Sequence, residues 1–107
     1  MRYVAMLSSG RAWAVGKTVG EQDREVMLAH LHAMRKGYDD GTVLFGGPFR
    51  SSEGGIALLE AESRLHARSF MDRDPTVSAG ILDYDLFEVR PFFDAISGDA
   101  WSQQGSG

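Results

Sequence analysis

Residues 28–49, LAHLHAMRKGYDDGTVLFGGPF, pass from a helical to an extended pattern within one stretch. Met27, Leu31, Met34 and Tyr38 recur at the i, i+4, i+7, i+11 spacing of one helix face. Gly41 then supplies the residue type that ends helices in a left-handed turn, and Val43–Phe49 is a β-prone run. Acidic Glu21, Asp23 and Glu25 stand before this face, and basic Arg35 and Lys36 near its end, which suits the helix dipole. The stretch therefore predicts a helix over 21–40 followed by a buried strand.

Working outward, RYVAML (2–7) reads as a strand closed by Ser8-Ser9-Gly10, and residues 8–20 as a loop with three glycines. RSSEGG (50–55) reads as a hairpin turn and IALLE (56–60) as the returning strand. Ser63 is placed to cap a second helix that runs to about Arg73 before Pro75 ends it. Leu82–Phe92 is the last strand. Its apolar alternation (Leu82, Tyr84, Leu86, then Phe87, Val89) slips phase at 86–87, which predicts a bulge there. Strand, helix, strand, strand, helix, strand builds a ferredoxin-like α+β fold: a four-stranded antiparallel sheet with both helices on one face. One sheet face is left bare, so a homodimer, or a higher assembly, is expected to cover it. Residues 1–94 form the domain, and 95–107, which end in the eleven residues SGDAWSQQGSG, are expected to be a flexible tail.

The 107 residues suffice for one domain, and the net charge of −4 argues against nucleic acid or an anionic membrane as partner. No apolar run has the roughly 20 residues of a membrane span, and MRYVAMLSSG is too short and too soon polar for a signal peptide. The chain has no cysteine, which excludes disulfides, thiolate chemistry and cysteine-ligated zinc. A cytoplasmic location is expected.

Two of the three histidines lie in the opening stretch, and the helix separates them. Measured from Met34, His30 is about 40° away and His32 about 160° away, so His30 belongs to the inward arc and His32 to solvent. On the second helix Ala67, Phe70, Met71 and Asp74 share the i, i+3, i+4, i+7 spacing, which brings Asp74 in line with an apolar face. An aspartate there could meet His30, hold the proton on one ring nitrogen and leave the other as a general base. A histidine in an apolar arc also serves as an ordinary core residue, and His66, about 40° from Phe70, is a second inward candidate.

The run His30-Leu31, Gly41 and Val43-Leu44-Phe45-Gly46-Gly47-Pro48 resembles the YciI-like (YCII-related) family in residues and spacing. Asp74-Pro75, Val77, Ala79-Gly80 and Val89-Arg90-Pro91-Phe92 continue the resemblance, which covers residues 1 to about 94. It implies a dimeric α+β barrel, sheet facing sheet, with a histidine–aspartate dyad in a cleft and no required metal or organic cofactor. By motif the dyad is His30 and Asp74, the pair the helix faces also select. A related member dechlorinates a chlorinated hydroxyquinol, and muconolactone isomerases share the barrel. Members often carry an arginine three residues before the histidine. Met27 stands there in this chain, leaving Arg11, Arg24 or Arg50 as substitutes. GGPFRSSEGGIALLEAES also resembles the DGPF family, which is linked to transcription regulators, although Gly46 replaces the motif's aspartate.

Gly46-Gly47-Pro48 lacks the Lys-Ser/Thr and the following helix of a phosphate loop, so close backbone packing explains it better. His30 and His32 on opposite faces cannot converge with His66 on a metal. The expectation is a cofactor-independent lyase or isomerase acting on a small cyclic or enolic compound. His30 and Asp74 are its catalytic residues, and Gly46, Gly47, Pro48 and Arg50 bind substrate. The alternative is a non-catalytic domain that binds a small ligand or a protein, with the His30–Asp74 pair structural.

Overall fold

The computed structural model describes residues 1–51 and 53–102. Ser52 of the expected turn and residues 103–107 of the expected tail lie outside the described residues. Strands β1 (Arg2–Ser9), β2 (Val43–Pro48), β3 (Gly55–Glu60) and β4 (Leu82–Val89) form one antiparallel sheet in the order β2-β3-β1-β4. Helices α1 (Arg24–Asp40), α2 (Arg64–Asp72) and the short α3 (Pro75–Ser78) complete the α+β, ferredoxin-like domain. Tyr3, Ala5, Leu7, Ala57, Leu59, Leu82 and Leu86 are buried beneath the helices, with Ala67 and Met71 of α2.

Helix ends follow their local chemistry. Asp23 and Ser63 cap α1 and α2 by accepting from the backbone N–H of Val26 and His66. Gly41 closes α1 in the left-handed region at φ 89°. Gly37, a poor helix former, sits in α1 for another reason: a Cβ there would lie 2.7 Å from Phe70 Cζ and 2.9 Å from Val43 Cγ2. The glycine lets α1 approach α2 and the sheet closely.

Several expectations need correction. The bulge expected at 86–87 is absent: β1 and β4 pair without a break from Arg2↔Val89 to Ser9↔Leu82. The apolar residues change sides while the backbone keeps its phase, so Phe87 and Val89 stand on the face away from the helices. The irregularity lies in β2 instead, where Val43 pairs Leu59 but Phe45 pairs Leu58. That shift leaves Val43 in the core and turns Phe45 outward. Phe45, Leu58, Val4 and Phe87 consequently line up across all four strands as one apolar row on the open face. Phe45 is 62% exposed and Phe87 53%.

The second correction concerns α1. Leu31 and Tyr38, read as buried, are 58% and 60% exposed, whereas Val26 and Met34 pack against the core. The helix's apolar arc is wider than the part of it that meets the sheet. The second helix ends before Pro75 as expected, at Asp72 with Arg73 as its cap, and Pro75 in addition begins a short new helix with Asp74 as its cap. The first part of the expected tail folds back on the domain's end, β5 (Phe93–Asp94) pairing with β6 (Asp99–Ala100) as a small hairpin. Arg2 anchors it, bonding Asp94 from Nε at 2.9 Å and Glu60 from Nη1 at 2.8 Å. The guanidinium holds the Asp94 carboxyl below the usual range.

Tyr84 gives the fold an alkaline limit. Its hydroxyl donates to Asp72 Oδ1 at 2.6 Å, and burial, then this bond and the Asp72 charge, push its pKa up to about 12. The folded state thus holds a proton that the unfolded chain releases near pH 10, so stability present below that value falls as pH rises toward 12. A phenolate absorbance titration is expected to lose one late-titrating tyrosine in Tyr84→Phe, and denaturation curves of that variant should fall less steeply over the same window.

Candidate functional site

Asp-Pro places the site's carboxylate. A residue before proline avoids helical geometry, and Asp74 at φ −62°, ψ 133° is extended. From there its Oδ2 accepts the Thr76 N–H at 3.0 Å and the Thr76 hydroxyl, capping α3. Packing of α3 on α1 brings the same carboxylate to His30, whose Nδ1 lies 2.8 Å from Oδ1 and 2.9 Å from Oδ2. A carboxylate only accepts, so the ring proton sits on Nδ1 and Nε2 is the unprotonated nitrogen of the neutral imidazole. The Asp74 side chain is 1% exposed and that of His30 17%. The pair thus has a dry end and a reachable end.

His30 lines a cleft of about 800 Å³ between α1 and the β2–β3 side of the sheet. Leu28, Leu31 and Tyr38, the exposed apolar residues of α1, form its wall. The stripe that looked like core is the surface of this cleft. Gly46, Gly47 and Pro48 lie on the opposite wall. The close backbone approach expected at these glycines falls one strand over: a Cβ on Gly55 would come within 2.6 Å of the Gly47 carbonyl oxygen, while one on Gly47 meets open space. Gly47 therefore leaves backbone accessible from the cleft.

Of the arginines, Arg24 lines this cleft, Arg11 borders a separate hollow beside Gly80, and Arg50 is exposed on the turn after β2, outside the lining. His32 and His66 are both exposed, so the helical geometry of His32 holds and that of His66 does not. His66 instead accepts from the Glu62 N–H at 3.3 Å through Nδ1. Thr76, fully buried and donating twice to Asp74, was missed in the sequence. Its signal was the order Asp-Pro-Thr, which reads as cap, first and second helix positions. Among the described residues no three His, Asp or Glu side chains gather as a metal site, and no helix is long and apolar enough to cross a membrane.

The family model described as the YCII-related domain matches residues 1–92. No curated protein matches the sequence significantly. Among solved structures, the 5-chloro-2-hydroxyhydroquinone dehydrochlorinase from Burkholderia phenoliruptrix AC1100, in complex with 2,5-dihydroxybenzoquinone, shares the fold with a TM-score of 0.66. The identity is 19%, over 84% of this chain and 94% of that one.

Proposed function

Because the chain belongs to the YCII-related family, we propose that it is a small lyase-type enzyme in which His30 and Asp74 move a proton on a cyclic or enolic compound. The observation that carries this reading is the imidazole in the cleft wall with a buried carboxylate on its Nδ1. Neutral His30 takes a proton from a substrate carbon or hydroxyl at Nε2. The electron pair left behind forms an enolate, or expels a leaving group such as chloride. Asp74 keeps the ring oriented and balances the imidazolium, which then returns the proton to a different atom or gives it to water. In this reading the developing oxyanion is met by backbone N–H groups near Gly46 and Gly47, residues that line the cleft. The structural relative's dehydrochlorination fits the elimination branch of this scheme, and no step requires a metal or organic cofactor.

The test is incubation in deuterium oxide with enolisable lactones and with hydroxyquinols, chlorinated and not. Deuterium exchange at carbon, or chloride release, above the buffer rate is expected. Binding of these compounds in the cleft with neither outcome would sink the proton-transfer reading.

The working unit in this proposal is a homodimer joined through the open sheet face. The row Phe45, Leu58, Val4, Phe87 is a continuous apolar stripe of the kind soluble monomers rarely leave exposed. A charge placed in it would be buried against the second copy without a counter-ion. Sedimentation is expected to show a dimer for the wild type and a shift to monomer for Phe87→Glu.

A further inference from the structure

The charges around the cleft are unevenly assigned. Two arginines, Arg24 and Arg35, line it, and among the described residues no carboxylate does, in a chain whose net charge is −4. Arg35 is already engaged: its Nε donates to the two carboxylate oxygens of Asp39 at 3.0 and 3.2 Å, and its guanidinium lies 5.9 Å from the Tyr38 ring centre. Asp74, behind the wall, is committed to His30 and Thr76. Arg24 is different. It heads the exposed row that continues through Leu28, Leu31 and Arg35, and its side chain has no ion pair or hydrogen bond among the described residues. A cation at the end of an apolar cleft, with no counter-charge of its own, is suited to an anionic ligand group.

We propose that Arg24 binds an anionic group of the substrate, and that this group is remote from the reacting centre. Arg24 stands six positions before His30 in α1, roughly 9 Å along the helix axis. Side chains on a helix lean toward its N-terminus, and arginine, the longer of the two, carries its guanidinium further that way than His30 carries its ring. A single small ring cannot reach both. The cleft volume of about 800 Å³ likewise exceeds what one ring fills. The substrate class is therefore an enolisable or phenolic ring bearing a carboxylate on an arm, with the ring at His30 and the carboxylate at Arg24. This inference rests on the proton-transfer reading of the cleft and adds its recognition half.

The probes are 3-(4-hydroxyphenyl)propionate and its neutral amide, titrated into the full chain and followed by NMR shifts of the cleft residues. The acid is expected to bind about tenfold more tightly than the amide, as one charge-assisted contact supports. Arg24→Gln should bring the ratio close to one, Arg24→Lys should keep part of it, and raised salt should reduce it in the wild type only. His30→Gln should leave the ratio as it was. Equal binding of acid and amide by the wild type, a preference that survives Arg24→Gln, or no shifts in the cleft with either probe overturns the assignment of Arg24. Equal binding leaves proton transfer by His30 standing. A clear preference with no turnover in the exchange screen instead overturns proton transfer and keeps the anion site.

Discussion

His30→Ala is expected to lower the exchange or elimination rate by about 10²- to 10⁴-fold, the usual contribution of a positioned general base. Asp74→Asn should fall in the same range, although it changes only one atom. A carboxamide can turn its NH₂ toward Nδ1, and the ring then takes the tautomer with its proton on Nε2, the nitrogen that must accept one. Asp74→Asn also keeps the volume of the cleft wall, so probe binding by that variant should change little while turnover collapses. Rates near wild type in both would remove the dyad from the mechanism.

Asp74→Ala separates holding the fold from doing chemistry. The substitution removes the α3 cap, worth about 1 kcal/mol, and strands the buried Thr76 donors and the His30 Nδ1–H, at about 1–3 kcal/mol for a group left unpaired. A loss of roughly 2–4 kcal/mol in urea denaturation is expected. Asp74→Asn retains an oxygen for the Thr76 N–H and should lose only about 1 kcal/mol. The informative contrast is therefore large loss of stability in Ala, large loss of turnover in both. If stability and turnover fall in proportion across the two variants, the pair is structural, and a binding domain becomes the better reading.

Much of this arrangement was legible because helices are periodic. The 100° step separates His30 from His32 whatever surrounds them, and Gly41 and Ser63 announce helix ends through their own backbone chemistry. What the helical wheel lacks is the width of the surface beneath it. It marks Leu31 and Tyr38 as apolar, yet their role as cleft wall depends on where β2 lies across the sheet. The phase change at Leu86–Phe87 does not mark a bulge: the apolar residues move to the other face because that face carries an apolar row, and the backbone shift that completes the row is at Val43–Phe45. Helix α3 was hidden by its length of four residues, which carries no period, and by a proline read only as a stop when it also stands at a start.

The strand order has a consequence for how the chain comes to be folded. β1 lies between β3 and β4, and its pairing with β4 joins Arg2 to Val89. During synthesis β1 emerges first and waits for both neighbours. A half-made chain holds β2 and β3, able to form a hairpin, but not the strand that closes the sheet. Such distant pairing makes for slow, late-committing folding. His30 and Asp74 share that delay, because α3 emerges only just before β4. The nascent chain therefore carries its histidine for much of its translation without the carboxylate that orients it. Its apolar strands are exposed over the same interval, which makes this the period when a chaperone, or a second nascent copy, has most to bind.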